Sequence, residues 1–264
     1  MSPPLKSIVS AENPRYRRLV KLAQSSRERR KTGLSVLDGV HLAMAYYEHV
    51  GVPAELFVSR GAQDAPEVRR LLEHCSACGP LQLSDALFAQ ISTVQAPTGV
   101  MAVIPTPRQD AAAPADAQGV VLLEDLQDPG NLGSILRSAA GAGIDHVCLS
   151  PHAVHAWSPR VLRAAMGAHF MLAIHEGVDL AAYARAFQGR VIGTSHPASR
   201  TIYEMDLRGP VAFAFGNEGA GLTSALRAVV HALAAIPMSG RVESLNVASA
   251  AAVCLFERVR QLRA

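Results

Sequence analysis

Apolar residues fall along this chain in two alternating rhythms. Short continuous runs, the pattern of strands, are separated by stretches in which apolar positions return every three or four residues, the pattern of one helical face. Between residues 34 and 104 the runs are Ser35–Leu37, Glu55–Ser59, Leu81–Leu83 and Val100–Ile104. The helical stretches there are His41–His49, Pro66–Cys75 and Asp85–Ile91, with Ser84 as N-cap of the last. This alternation predicts a small α/β domain. Ahead of it, Asn13-Pro14 reads as an N-cap and first helical residue, and Gly33 as the stop of one helix running to Lys31. Residues 105–118 carry three prolines and many alanines without an apolar period, which is the composition of a linker.

Beyond the linker the apolar runs lengthen. Val120–Leu123, Val147–Leu149, Met171–Ile174, Val191–Gly193, Val211–Phe215 and Ala234–Ile236 are almost wholly apolar, as expected of parallel strands covered on both faces. Helices are predicted at Leu132–Ala142, Pro159–Met166, Leu180–Phe187, Ser224–Val230 and Leu245–Leu262. The expected organisation is therefore a basic N-terminal helix or arm over 1–33, a small α/β domain over 34–104, a linker over 105–118 and a larger parallel α/β domain over 119–264.

Composition narrows the class. Of 264 residues 49% are hydrophobic and 18% charged, enough for packed cores and inconsistent with global disorder. No apolar run is long enough to span a membrane, and Met1-Ser2-Pro3-Pro4-Leu5-Lys6 lacks the apolar core of an export signal. Four cysteines in a chain of this length do not make a disulfide framework. A reduced, cytoplasmic protein with no membrane partner is expected. Cys75-Ser76-Ala77-Cys78, preceded by His74, is a single C-x-x-C with no second pair, so no metal site is expected.

Charge is uneven. Residues 1–31 hold nine basic residues against Glu12 and Glu28, a net +7, so the chain total of +3 leaves −4 for the rest. A basic segment on a mildly acidic body fits a polyanion, because each phosphate contact releases condensed counterions. A solvated basic helix accounts for the same charges equally well. If nucleic acid is the partner, the candidate contacts are Arg15, Arg17, Arg18, Lys21, Arg27, Arg29, Arg30 and Lys31, with Arg160 and Arg163 further on.

Three polar, glycine-bearing loops follow predicted strands: Asp128-Pro129-Gly130-Asn131-Leu132-Gly133, Gly216-Asn217-Glu218-Gly219-Ala220-Gly221, and Ile236-Pro237-Met238 through Ser244-Leu245-Asn246. In parallel α/β sheets ligands bind beyond the carboxyl ends of strands, so three such loops point to one site. Singly each has a bland reading as a tight turn with a capping residue, Asn131 and Asn246 included. The second loop is spaced G-x-x-G-x-G rather than G-x-G-x-x-G and follows a late strand, which disfavours a nicotinamide-dependent oxidoreductase. Arg137 stands out as a lone charge among Ile135, Leu136, Ala139 and Ala140. The last helix carries Ala248, Ala250, Ala251 and Ala252, a small-residue surface suited to close packing within the chain or against a second subunit.

Taken together and in this order, the three loops resemble those of the SpoU/TrmH family of RNA ribose 2′-O-methyltransferases. Ser158–Ala168 is similar to the family's intermediate segment, and Asn13–Gly33 to the entry helix of members that modify large-subunit ribosomal RNA. Leu37-Asp38-Gly39 has Asp where such members usually have Glu, and Ser35 replaces a usual aromatic residue. The resemblance implies a trefoil-knotted C-terminal domain, S-adenosylmethionine as cofactor, ribosomal RNA as substrate with tRNA as the alternative, and a homodimer through the C-terminal domain. It also implies roles. Thr194, Ser195, Gly216, Asn217, Gly219, Ile236, Met238 and Leu245 would hold the cofactor. Asn131, Arg137, Glu218, Ser244 and Asn246 would form the catalytic set. Arg137 matches the family's essential arginine. A guanidinium stays protonated, so its expected role is to clamp the adjacent phosphate and stabilise the developing oxyanion. The intact catalytic set argues against a non-catalytic RNA-binding protein of the same fold.

Overall fold

A computed structural model describes residues 5–92, 97–107, 113–195 and 198–264. These form two compact units. The first comprises residues up to 107 together with Trp157–Phe170, and the second comprises residues from 108 to 156 and from 171 to 264.

The first unit is built on a five-stranded sheet. Its strands are β1 (Lys6–Ile8), β2 (Leu34–Asp38), β3 (Glu55–Ser59), β4 (Leu81–Leu83) and β5 (Val100–Pro105), in the order β1-β4-β3-β5-β2. β5 runs antiparallel to both of its neighbours, while β1, β4 and β3 are parallel. The helices α1 (Pro14–Gln24), α2 (Ser26–Thr32), α3 (Val40–His49), α4 (Pro66–His74) and α5 (Asp85–Ile91) complete it.

One expectation about this part is narrowed and another changes. The basic N-terminal segment, expected as a helix or arm, is helical and packs into the unit: Tyr16, Leu19 and Leu22 of α1 share one core with Phe57, Phe88 and Met101, and β1 is an edge strand of the sheet. With only Ile8 buried in β1, a three-residue edge strand leaves no apolar run to read. The single helix predicted over 14–31 is two helices. Ser25 is extended, closes α1 through its N–H to Lys21 O, and opens α2 by accepting from Glu28 N at 3.2 Å. Ser25 with Glu28 three residues on is the spacing of a capping box, so the break was written locally.

The second unit is a seven-stranded, all-parallel sheet. Its strands are β6 (Gly119–Leu123), β7 (His146–Leu149), β8 (Ala173–His175), β9 (Arg190–Thr194), β10 (Arg200–Thr201), β11 (Val211–Phe215) and β12 (Ala232–Ala235), in the order β10-β12-β9-β11-β6-β7-β8. Central β6 and β11 are buried at every position, which is why they read as unbroken apolar runs. The helices of this unit are α6 (Pro129–Gly141), α8 (Leu180–Ala186), α9 (Ser224–Arg227) and α10 (Val247–Arg263), while α7 (Pro159–Ala165) lies in the first unit.

Residues 157–170, expected within the C-terminal domain, therefore pack with the N-terminal unit. There Phe170 meets the edge of Tyr46 with ring centroids 5.3 Å apart. Of the expected linker, 108–112 lie outside the described residues. Residues 113–118 are held on the second unit: Ala113 is buried in its core, and Pro114 O accepts from the Tyr183 hydroxyl at 3.0 Å. The small-residue surface of α10 is used inside the chain only in part, with Ala248, Ala250 and Ala252 half-buried. Ala251, Cys254 and Leu255 are fully buried, and α10 packs on α6.

Candidate active site

β12, β9, β11 and β6 are consecutive neighbours in the parallel sheet, so their carboxyl ends lie side by side on one edge. The segments leaving those ends are Glu124–Asp128, Ser195, Gly216–Leu222 and Ile236–Asn246. The sheet thus gathers three loops that are spread over more than a hundred residues of the chain.

The second loop is folded on itself. Asn217 N donates to Gly221 O at 3.1 Å and Gly221 N to Asn217 O at 2.9 Å, while the Asn217 side-chain oxygen accepts from Gly219 N and Ala220 N at 2.9 and 3.0 Å. A Cβ on Gly216 would lie 2.1 Å from the Gly221 carbonyl carbon and 2.3 Å from Leu222 N, so only glycine permits this turn. The loop is anchored at both ends to the segment after β6. Asn217 Nδ2 donates to Asp125 O at 2.9 Å, and the Glu124 carboxylate accepts from Thr223 N and Thr223 Oγ1, each at 2.7 Å. Asp125 occupies a left-handed conformation, φ 50°, with its carboxylate accepting from Ser150 Oγ at 2.6 Å.

Glu218 joins the first loop to the second. Its carboxylate accepts from Gln127 N at 3.2 Å, Asp128 N at 3.1 Å and Asn131 Nδ2 at 3.1 Å. Burial pushes its pKa up, but the bonds from Asp128, Asn131 and Gln127 outweigh that, and the carboxyl sits below its ordinary range. The third loop joins through Asn246, whose Nδ2 donates to Asn131 Oδ1 at 2.8 Å. Asn246, Asn131 and Glu218 therefore form one hydrogen-bonded chain across all three loops.

Capping is divided differently from the bland readings. Asp128, not Asn131, caps α6 by accepting from Asn131 N at 2.7 Å. Asn246 does cap α10, accepting from Ala248 N at 2.9 Å, and spends its amide on Asn131. One side chain can do both because the cap uses only its oxygen.

Beside this chain lies a cleft of roughly 410 Å³. Thr194, Ser195, Gly216, Asn217, Gly219, Ile236, Met238 and Leu245 all line it, as do Glu218 and Ser244. Ala220, Leu222, Arg227, Ala234, Glu243, Val247 and Ala250 line it too; sequence reasoning missed them. Arg227 and Glu243 were discoverable as charges beside the glycine loop and beside Ser244. Gln127 and Glu124 act through hydrogen bonds that nothing in their local sequence announces.

Arg137 is exposed on α6, does not line the cleft, and makes no side-chain hydrogen bond or ion pair among the described residues. Solvent, rather than a protein carboxylate, is its surroundings here.

The predicted RNA contacts separate into two kinds. Arg15, Arg17, Arg18, Lys21, Arg27, Arg30, Lys31 and Arg160 are exposed, with Arg17 paired to Glu12 and Arg18 to Glu55. Arg29 is a correction: it is buried at 5% exposure, and its guanidinium donates to Leu22 O at 2.6 Å and Ala23 O at 3.3 Å, capping the end of α1. Arg163 is half-buried with one guanidinium nitrogen enclosed. Cys78 donates its thiol to Cys75 O, and among the described residues no group of three or more His, Cys, Asp or Glu could hold a metal ion.

A parallel sheet whose adjacent strand ends carry glycine loops around one cleft defines an α/β enzyme that binds a nucleotide-like cofactor at its strand ends. The sequence matches the SpoU rRNA Methylase family over residues 118–256, more than half of the chain, and the MRM3-like substrate binding domain over 13–102. The chain belongs to the SpoU rRNA methylase family.

It is 34% identical over 261 residues to an uncharacterized tRNA/rRNA methyltransferase of Synechocystis, spanning 97% of this chain and 94% of that protein. It is 31% identical over 255 residues to the Bacillus subtilis 23S rRNA (guanosine(2553)-2′-O)-methyltransferase RlmP, spanning 96% and 98% of the two. The AdoMet-bound rRNA methyltransferase from Sinorhizobium meliloti superposes with a TM-score of 0.84 at 28% identity, covering 98% of each chain. The SpoU methyltransferase AviRb from Streptomyces viridochromogenes, in complex with AdoMet, gives 0.82 at 28% identity, covering 95% of this chain and 98% of that one.

Proposed function

We propose that this protein transfers a methyl group from S-adenosylmethionine to a ribose 2′-hydroxyl of large-subunit ribosomal RNA. The observation that carries the reading is the Asn246–Asn131–Glu218 chain, which joins all three loops at the edge of the cleft. One relative matched over nearly its whole length, RlmP of Bacillus subtilis, acts on 23S rRNA by name, and two superposed relatives hold AdoMet.

The residues fit the cofactor. The cleft has the volume of a small-molecule site, about 300–1,000 Å³. Gly216 brings bare backbone to its wall, and Ile236, Met238 and Leu245 give it apolar surface for an adenosyl group. When bound, the cofactor supplies an electrophilic methyl carbon on a cationic sulfur. Glu218 and Asn131, locked by their mutual bond, keep the first two loops in one arrangement, which is positional catalysis rather than acid–base chemistry. Arg137, exposed and without a protein partner among the described residues, is free to grip an RNA phosphate and to stabilise negative charge building on the attacking 2′-oxygen. Ser244 adds a hydroxyl on the cleft wall.

The same proposal includes the trefoil threading of the C-terminal unit and a homodimer through it. Phe256 and Leu262 of α10, each 49% exposed, are apolar side chains open to such a contact, whereas Ala251 is buried. RNA recruitment falls to the exposed cations of α1 and α2, with Arg160 on α7. Four unpaired thiols support a reducing, cytoplasmic setting.

The test is labelled methyl transfer to total RNA, followed by mapping of ribose methylation. Label in a 2′-O-methyl nucleotide of large-subunit ribosomal RNA supports the reading, label confined to tRNA moves the substrate, and no transfer to any RNA overturns it.

A further inference from the structure

Two charges on the cleft wall are unused by the network that builds it. Arg227, in the last turn of α9, and Glu243, one residue before Ser244, both line the cleft and both are exposed. Among the described residues neither side chain makes a hydrogen bond or ion pair, with the other or with anything else. Elsewhere on this unit Arg208 pairs with Asp206 and Arg260 with Glu257, while Arg137, away from the cleft, stands without a protein partner among the described residues as these two do. Glu218, also on the cleft wall, is already occupied by three N–H donors.

We propose that Arg227 and Glu243 hold the amino-acid end of the methyl donor, the guanidinium taking its α-carboxylate and the glutamate its α-ammonium. This rests on the reading of the cleft as the cofactor site. The adenosyl half is uncharged and is served by backbone and apolar groups, which Gly216, Ile236, Met238 and Leu245 present. The amino-acid end is a zwitterion, and an uncharged wall would leave both its charges to solvent, without the charge-assisted hydrogen bonds that a charged wall can give. One unpaired cation and one unpaired anion on the same cleft match it charge for charge. An arginine fork suits a carboxylate better than a point charge does, because it can give two parallel N–H bonds.

The experiment is calorimetric binding to the full chain of two uncharged-sulfur ligands. S-adenosylhomocysteine keeps the zwitterion, and 5′-methylthioadenosine lacks it. Arg227→Met and Glu243→Gln should each weaken S-adenosylhomocysteine by about tenfold, as expected when one charge-assisted hydrogen bond at an exposed site is removed. Both should leave 5′-methylthioadenosine affinity unchanged, and Arg227→Lys should fall between. Equal loss of both ligands would assign these residues to the adenosyl half or to the fold and overturn the proposal, as would no loss of either. The cleft reading is tested separately with Gly216→Val, whose side chain would strike Gly221, and with Ala220→Trp, which fills the cleft from an exposed position and spares the core. If folded forms of these variants bind both ligands as the parent does, the cleft is not the cofactor site and both proposals fall together. If they lose both ligands while Arg227→Met and Glu243→Gln lose neither, the cleft reading stands and only the zwitterion assignment is overturned.

Discussion

Replacing Glu218 by alanine should loosen all three loops at once. The carboxylate accepts from two backbone N–H groups and from the Asn131 amide, and Asn131 in turn holds Asn246. A hydrogen bond to a charged group contributes about 1.5–3 kcal/mol when buried, but these lie at the protein surface, where water replaces a missing acceptor. Discounted to about 0.5–1 kcal/mol each, three bonds hold the loops by roughly 2 kcal/mol, or about a thirtyfold preference for the joined arrangement. S-adenosylhomocysteine affinity should fall, by about twofold if the freed loops divide evenly between arrangements and by as much as about thirtyfold if they come apart, with little change in melting temperature, since the core strands are untouched. Glu218→Gln keeps the shape but loses the charge and turns one oxygen into a donor facing other donors, so it should lose about half of that free energy. The folded pKa of Glu218 lies below its ordinary value, so the clamp is fully present at neutral pH and is lost only as pH falls through that depressed value. Calorimetric titrations at neutral and acid pH check both parts. Unchanged affinity in Glu218→Ala, or affinity that improves as pH falls, would refute the clamp.

Arg29→Ala should lower the stability of the first unit by about 2–4 kcal/mol, because it removes the cap on Leu22 and Ala23 and leaves a cavity; denaturant unfolding measures this, and a neutral effect would return Arg29 to the RNA surface. Arg137→Ala should cut methyl transfer by about 10²–10³ while leaving S-adenosylhomocysteine binding intact, since the side chain does not line the cleft; weakened binding would place it in the pocket. Changing the exposed Lys21, Arg27 and Lys31 together to Gln should flatten the dependence of log RNA affinity on log salt by roughly 0.7–0.9 for each phosphate no longer neutralised, and an unchanged slope would mean these helices are merely solvated.

Much of this protein could be read along the chain because the physics there is local. The runs Glu55–Ser59, Leu81–Leu83 and Val211–Phe215 are strands with the boundaries their apolar patterns set, and Ser84 caps α5 as its position before Asp85 requires. The glycines of the second loop were recognisable as a turn. All eight residues read as cofactor contacts line one cleft, because strand ends of a parallel sheet share an edge.

Other features depended on what lies far away in sequence. Charge and helical period could not tell Arg29, turned back onto the carbonyls of α1, from Arg27 in solvent, because the difference is made by the fold around α2. The basic segment read as a helix or arm until Tyr16, Leu19 and Leu22 met Phe57 and Phe88. Residues 157–170 read as one more turn of the C-terminal alternation, yet they pack with the N-terminal unit. The hydrogen-bonded chain from Asn246 through Asn131 to Glu218 spans 115 positions in one step and 87 in the next. The amino-acid sequence by itself determined the strands, caps and glycine turns, because backbone preference and apolar period act over a few residues. Only the tertiary structure decided which charges face water, which face a carbonyl and which face the cleft, because burial and hydrogen bonding are set by neighbours that the chain order does not place side by side.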